Sequence, residues 1–272
     1  MEFLTYFLSS LLTLISPGGV ALDTVAENNL RDRLYEAEQL QVRIDNTPSY
    51  QLVRGEVDRL RIAGRGLYLM PEVRLDTLEV ETDRIAVNPG GLELAREEPQ
   101  AALQEPLQAG VRAILTEADI NRALRSPQVY NDLQSLALEL FDSLLLQQLA
   151  YRYRLVDPQV ELLGDRRVRF QTQIAERGYS DRLTLTVETG VKVVEGRQLQ
   201  LVDPAVRIND KPAPWQLVRG LTALAREFNL ARLEPLGVRS RVLHFHLTPE
   251  AVEMALFVRI ESRSGTAGEV RD

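Results

Sequence analysis

The chain lacks cysteine altogether. This absence excludes disulfide bonds, thiol catalysis and cysteine-ligated metal sites, although it does not assign a compartment. Histidine is scarce too, with His244 and His246 as the two copies. On a strand they would point to the same face, so a metal pair is conceivable. No acidic residue stands beside them at ligand spacing, however, and two solvated imidazoles are the simpler interpretation.

The motifs of the common enzyme classes are missing as well. The chain has no P-loop, no HExxH zinc motif and no nucleophile elbow. The run Ala63-Gly64-Arg65-Gly66 lacks the third glycine of a dinucleotide-binding loop and does not open a helix. The many carboxylates alternate along strands or ring helices, where solvation explains them. We therefore predict a non-enzymatic protein with no cofactor and no bound metal.

Positive charge is in deficit, with a net charge of −7 over 272 residues. Such a molecule is not an electrostatic nucleic-acid binder, and its long-range attraction to anionic lipid is weak. A phosphate-binding basic patch on one sheet is an alternative, but interleaved Glu and Asp favour a mixed, solvated face. The arginines of this candidate patch are Arg59, Arg61, Arg65, Arg74 and Arg84.

The first segment, Phe3 to Leu22, carries no charge. A helix over Phe3–Ile15 reaches only ~20 Å, short of the ~30 Å hydrocarbon core of a bilayer. One interpretation is a signal sequence cleaved after Gly19-Val20-Ala21, although Glu2 stands where basic residues are usual. The other two interpretations are a membrane-contacting helix and a buried helix of the domain. The predicted membrane-contacting residues are Phe3, Tyr6, Phe7, Leu11 and Leu14.

The stretch from Gln128 to Tyr153 has the strongest helical pattern in the chain. Its apolar residues recur at three- and four-residue steps and leave only a narrow polar strip, so the helix must be covered on most sides. The alternating β pattern from Leu155 to Ile208 supplies such a cover. The residues that recur are Leu133, Leu136, Ala137, Leu140, Phe141, Leu144, Leu145 and Gln148.

The residues before this helix predict a shorter helix and a first antiparallel sheet. Thr24 and Glu27 have the spacing of a capping box, and the helix continues through Ala37. Period-two alternation then predicts strands near residues 42–45, 57–62 and 73–80. Pro and Gly residues from 88 to 110 predict a long surface connection. Thr116, with Asp119 at the third helical position, caps another short helix.

The residues after the long helix predict a second antiparallel sheet and its capping elements. Turns at Gly164-Asp165 and Glu195-Gly196 divide the alternating stretch into a meander. A helix begins after Pro212-Ala213-Pro214, where Trp215 either marks the helix start or touches a membrane interface. Val238–Leu247 is a strand, and Thr248-Pro249-Glu250 predicts one more helical turn.

These patterns predict an α+β fold in which one or more long, curved antiparallel sheets wrap around a long amphipathic helix, with shorter capping helices. The inward faces of helix and sheet either fill one another or line a cavity for an acyl chain. The predicted lining residues are Leu136, Leu140, Phe141, Leu144, Val168, Phe170, Leu183 and Leu185, all of which are equally compatible with a plain core.

The order of these elements resembles the LmeA-like phospholipid-binding family of actinobacteria and cyanobacteria. The resemblance covers residues 23–260 and implies an elongated fold akin to the tubular lipid-binding superfamily, in which a curved sheet wraps a helix around a lipid groove. It also implies a non-enzymatic, bacterial protein of the cell envelope that binds phospholipid. The segments that carry it are the helix Val25–Leu40, the run Tyr50–Gly64, the strand with Leu75, Leu78 and Val80, and the run Leu115–Asn121.

We therefore predict a lipid-binding domain over residues 23–260, after an apolar segment at 1–22 and before a disordered tail at 261–272. Its expected partners are phospholipid and a membrane surface, with the periplasmic side favoured if residues 1–21 act as a signal. One alternative is a membrane-tethered assembly factor with a filled core and a protein partner. Another is a lipid hydrolase that brings a serine to His244 or His246.

Overall fold

A computed structural model describes residues 22–45, 55–87, 99–131, 152–176, 179, 181–227 and 229–262. Within this part, strands predominate and all their pairings are antiparallel. The helices are α1 (Leu22–Arg31), α2 (Pro99–Ala102), α3 (Glu117–Ala123) and α4 (Trp215–Glu227), with a 3₁₀ helix at Leu230–Leu236. The strands are β1 (Glu36–Asp45), β2 (Glu56–Val57), β3 (Arg59–Met70), β4 (Val73–Thr82), β5 (Ile85–Ala86), β6 (Leu107–Thr116), β7 (Tyr153–Gly164), β8 (Arg167–Glu176), β9 (Arg182–Val194), β10 (Gln198–Ile208), β11 (Lys211–Pro212), β12 (Val238–Leu247) and β13 (Ala251–Ile260).

Six strands form a first sheet, sheet A, in the order β1-β3-β4-β6-β13-β12. One face of sheet A is apolar because its strands alternate in phase, as in the row Ile62, Val80, Val111 and Leu256. At the β1 side of the sheet, α1 and the small pair β2-β5 cover this face and close the main hydrophobic core. Burial of this apolar surface is the dominant stabilising term for such a fold.

The opposite face of sheet A is charged, and its arginines are neutralised by carboxylates. Arg112 spans three strands by binding Glu79 on β4 and Glu253 on β13. Arg59 and Arg61 both bind Glu81. Four of the five arginines of the predicted basic patch are thus in ion pairs, since Arg84 binds Glu56 and Arg74 binds Glu38, Asp76 and Asp119. Arg65, the fifth, forms none within the described residues.

The other five strands form sheet B, in the order β11-β10-β9-β8-β7. This is the predicted meander, in which β9 runs unbroken from Arg182 to Val194. The α4 helix packs against β10, with Ala225 buried. The predicted start of this helix after Pro214 is confirmed.

Two Asp-Pro pairs interrupt the register of sheet B. Asp157-Pro158 coincides with the shift in β7, and Asp203-Pro204 with the shift in β10. Proline has no N–H to give to the ladder, so a bulge is the usual accommodation. Both aspartates adopt positive φ values, 49° and 46°, in the left-handed region that Asp tolerates better than most residues.

The helix predicted through Ala37 is wrong beyond Arg31, where α1 ends. Ala37 lies in β1 and pairs with Leu67 of β3, and the pairing continues to Asp45. Leu34 and Ala37 do face the same core as Ala26 and Leu30. The prediction that these four residues are buried together was therefore correct, but the helical conformation assigned to the last two was wrong. Residues 36–45 form a strand and not a continuation of the helix, because β3 provides backbone hydrogen-bond partners along this stretch.

The helical turn predicted at Thr248-Pro249-Glu250 is also wrong. The Thr248 hydroxyl accepts hydrogen bonds from the N–H groups of Glu250 and Ala251, at 3.3 and 3.2 Å, as a helix cap would. The Thr248 N–H instead donates to the Ala251 carbonyl at 2.9 Å and closes a hairpin between β12 and β13. A threonine hydroxyl accepts hydrogen bonds from nearby backbone N–H groups in turns as well as at helix caps, so the sequence motif does not distinguish the two.

Several predicted features lie outside the described residues. They include residues 1–21, the centre of the predicted long helix at 132–151, residues 88–98 of the predicted long connection, and the tail from 263 onward. Residues 127–131 are helical, and Tyr153 already belongs to β7. The α+β class is confirmed, while the long helix stays a prediction. No helix in the described ranges has the length and apolarity needed to cross a bilayer.

A buried ion pair fixes α3 to sheet A. Asp119 exposes 2% of its surface and accepts two hydrogen bonds from Arg74 of β4, at 3.2 and 3.0 Å. The Asp119 N–H also donates to the Thr116 hydroxyl at 3.1 Å, which confirms the predicted cap. Burial acts to lower the pKa of Arg74, but its hydrogen bond with Glu38 and the charge of Asp119 outweigh this and raise that pKa.

We predict that Arg74→Ala lowers the free energy of unfolding by roughly 3 kcal/mol, because it leaves the Asp119 carboxylate buried without its partner. Urea denaturation followed by circular dichroism measures the change. The matched control is Arg59→Ala, which breaks an exposed pair with Glu81 and should cost about 0.5 kcal/mol. Equal losses in the two variants would contradict the special role of the buried pair.

Candidate functional site

Sheet B separates apolar and charged side chains onto two faces. In the rows across β8 and β9, Phe170 lies beside Val187, and Ile174 lies beside Leu183. Because side chains alternate along a strand, these rows put Val168, Phe170, Leu183 and Leu185 on one face. The sequence predicted this shared face correctly, and their role in binding stays a prediction.

The other face of sheet B is held by ion pairs. Arg169 of β8 binds Glu161 of β7 and Glu188 of β9, and Arg167 also binds Glu188. Hydrogen bonds from Arg167 and Arg169 hold the pKa of Glu188 below its ordinary value, against the opposing effect of burial. This face is thus satisfied by its own charges, which leaves the apolar face as the candidate surface for a ligand.

The apolar face is covered unevenly. On the β10 side, α4 covers it with half-buried Leu217, Val218 and Leu221. Leu183 and Leu155, near the first residues of β9 and β7, expose 41% and 39% of their surface, whereas Leu162, farther along β7, exposes 4%. These two leucines lie in one row, since both are in register with Ile174. Apolar surface of this kind at a sheet's open side is a feature of binding grooves.

The α3 helix connects the edge of sheet B to sheet A. The Asn121 side chain donates to the Val160 carbonyl at 2.8 Å and accepts from the Val160 N–H at 2.7 Å. The Glu117 carboxylate accepts from the Leu162 N–H at 2.8 Å. Two side chains of α3 thereby satisfy the outer edge of β7, which would otherwise present unpaired backbone groups. Nothing in the sequence marks these residues for this role, because the pairing is long-range.

A cleft of about 530 Å³ opens beside the bulge of β7. One wall comes from residues 124–130 and the other from residues 154–159, where the Tyr130 hydroxyl accepts a hydrogen bond from the Leu155 N–H at 3.2 Å. This volume falls within the ~300–1,000 Å³ typical of small-molecule sites. The full lining is Leu124, Arg125, Pro127, Tyr130, Arg154, Leu155, Val156, Asp157, Pro158 and Gln159.

The cleft combines apolar walls with cationic groups. Arg125 and Arg154 are both exposed, and within the described ranges neither forms an ion pair. Asp157 contributes one carboxylate to the same lining. Unpaired guanidinium groups beside apolar walls suit a ligand with an anionic head and an apolar body. The sequence did not reveal this cleft, because the whole predicted long helix separates its two walls in the chain.

The remaining predicted site residues divide into two groups. Leu136, Leu140, Phe141 and Leu144 lie outside the described residues, as do Phe3, Tyr6, Phe7, Leu11 and Leu14. The two histidines point to the same face of β12 as expected, with ring centroids 6.0 Å apart. Within the described part of the chain, no cluster of three or more potential metal ligands occurs.

Comparison with known proteins points to one family. The family model for LmeA-like phospholipid-binding proteins matches residues 14–257, which is most of the chain. No curated protein and no solved structure is significantly similar to the chain. The matched range includes both sheets, α3 and both walls of the cleft.

We predict that Asn121→Ala weakens the attachment of β7 to α3, because the N–H and carbonyl of Val160 both lose their partner. The expected loss in the free energy of unfolding is about 1–3 kcal/mol. Hydrogen exchange at the Val160 amide should accelerate. The control Asn29→Ala, at an exposed position of α1, should neither lower the free energy of unfolding nor accelerate exchange at the Val160 amide. Unchanged exchange at Val160 in the Asn121 variant would disprove this attachment.

Proposed function

The chain belongs to the LmeA-like phospholipid-binding family, and we propose that it binds a phospholipid without chemically changing it. The acyl chains lie along the apolar face of sheet B, over Val168, Phe170, Leu183 and Leu185. The predicted long helix completes the groove with Leu136, Leu140, Phe141 and Leu144. The observation that carries this proposal is the half-open apolar face, which continues through Leu155 into the cleft at β7.

The driving force is the transfer of methylenes out of water. Each buried methylene contributes ~0.8 kcal/mol, so roughly ten would contribute about 8 kcal/mol. Binding costs an estimated 4–15 kcal/mol in lost translational and rotational freedom. One half-buried chain is therefore marginal, and stable binding requires that the groove hold most of a two-chain lipid.

The cleft supplies the polar end of the site. Arg125 and Arg154 offer guanidinium groups to a phosphodiester, and charge-assisted hydrogen bonds of this type are the strong ones in proteins. Leu155, which lines the cleft and lies in the row of Leu183, connects the polar end to the apolar face. A lipid bound this way has its head at β7 and its chains across β8 and β9.

We further propose that the protein works at a membrane of the cell envelope. A phospholipid carrier must collect its ligand from a bilayer, and the apolar segment at residues 1–22 suits either export or contact with that bilayer. Its predicted contact residues are Phe3, Tyr6, Phe7, Leu11 and Leu14.

We predict that the protein purified from cells carries about one phospholipid per chain and that Phe170→Asp abolishes this occupancy. A carboxylate on the apolar face is costly to bury beside acyl chains. Native mass spectrometry, followed by solvent extraction of the bound material, measures occupancy and identifies the lipid. Circular dichroism must first show that the variant retains its strands.

The control variant is Gln171→Asp, which puts the same carboxylate on the next residue of β8 and on the charged face. This variant should keep its lipid. A lipid-free wild-type protein that also takes up none from added vesicles would overturn the proposal and favour the assembly-factor alternative, in which the core is filled. The spectrum also shows whether residues 1–21 are retained.

A further inference from the structure

We propose that one end of sheet B docks onto the surface of an anionic phospholipid bilayer. We call it the distal end and define it by residue 179 between β8 and β9, the turn Asn209-Asp210 between β10 and β11, the first residues of β7, and the start of α4. This inference rests on the proposed lipid binding, because a lipid carrier needs a surface with which to reach a bilayer.

Hydrogen bonds fix the geometry of the distal end. The Asn209 side chain accepts from the Thr184 N–H at 2.9 Å, and the Asn209 N–H donates to the Thr184 carbonyl at 2.9 Å. The Tyr179 N–H donates to the Glu176 carbonyl at the end of β8. The two turns therefore lie at the same end of the sheet. Trp215 joins them because only Ala213 and Pro214 separate it from β11.

Exposed large hydrophobic side chains gather at this end. Trp215 exposes 59% of its surface and Tyr179 exposes 67%, and they join Leu155 and Leu183 of the neighbouring row. Tyr and Trp are the residues enriched at the interface between bilayer and water, since each has an apolar ring and a polar atom. The sequence is compatible with Trp215 either at the start of a helix or at a membrane interface. The exposure of Trp215 in the structure excludes a buried position.

The distal end is also cationic in a molecule of net charge −7. Arg154, Arg182, Lys211 and Arg219 are exposed there, whereas Arg152 is paired with Glu176. The guanidinium of Arg219 stacks over the Trp215 ring at 5.0 Å from its centroid. The acidic neighbours Asp157, Asp181 and Asp210 are fewer than these four cations, so the local sign is positive. This charge complements an anionic leaflet.

The surface leads directly to the candidate binding site. Leu155 and Arg154 belong both to the distal end and to the cleft. A bilayer in contact with Tyr179 and Trp215 would thus face the opening through which a phospholipid enters. Aromatic residues in the interface and cations at the phosphates orient the sheet with its open side toward the lipid.

The chain offers a built-in probe, because Trp215 is its one tryptophan. The experiment uses the full chain with vesicles of phosphatidylcholine and phosphatidylglycerol, with and without bromine on the acyl chains. We expect a blue shift of the Trp215 emission on vesicle addition and quenching by the brominated lipid. Docking through residues 1–21 alone would bind vesicles without quenching Trp215, and that result would overturn the proposal.

Two variants separate the apolar and charged contributions. Tyr179→Glu should reduce quenching on both neutral and anionic vesicles, while Tyr35→Glu should not, although Tyr35 is equally exposed at 65% and lies on sheet A beside Tyr68. Lys211→Ala should weaken binding about fivefold on anionic vesicles and leave binding to pure phosphatidylcholine unchanged. Equal effects of the Tyr179 and Tyr35 substitutions would contradict a defined docking end.

Failure of the docking surface can be distinguished from failure of the proposed lipid binding. Tyr179→Glu should still carry co-purified phospholipid in native mass spectra, since Tyr179 does not line the groove or the cleft. Lipid occupancy without quenching would overturn the docking surface and leave the binding proposal standing. Quenching without occupancy would support the docking surface and overturn the binding proposal.

Discussion

The contacts of α3 join the two sheets at one place, and a hydrogen bond from the Val242 N–H of β12 to the Gly196 carbonyl, after β9, joins them at another. On one side of this helix, Asp119 is buried against Arg74 of sheet A. On the other side, Asn121 and Glu117 occupy the outer backbone edge of β7 in sheet B. This two-turn helix is thus one polar joint between the two sheets. Loss of the contacts on either side of α3 should lower the free energy of unfolding substantially, since each contact satisfies groups that have little access to water.

Both sheets use charge pairs on one face and leave the other face apolar. On sheet A the apolar face meets α1 and closes into a core. On sheet B it meets α4 at β10 and is most exposed in the row of Leu155 and Leu183, beside the cleft. The difference between a core and a groove is therefore one of coverage rather than of composition. This explains why the sequence alone leaves Phe170 and Leu185 equally compatible with a core and with a groove.

The proposed docking through the distal end of sheet B would give that uneven coverage a functional reason. Aromatic and cationic residues at this end stand next to the open row of Leu155 and Leu183. A groove that opens beside a membrane-facing surface can exchange lipid without exposing the acyl chains to water. The net negative charge of the rest of the chain then favours one orientation on an anionic bilayer, because the positive end is the one attracted to it.

Local sequence patterns are enough to predict the antiparallel sheets, the Thr116 cap, the start of α4 and the shared face of the four apolar residues on β8 and β9. These follow from local rules, namely alternation, capping and turn residues. Tertiary structure decided the identity of β1 and β13, because a backbone ladder with a neighbouring strand outweighed helical spacing at Ala37 and a capping motif at Thr248. It also decided the joint at Asn121, the cleft and the distal end. Each of these brings together residues that are far apart in the chain, and no local pattern records such a meeting.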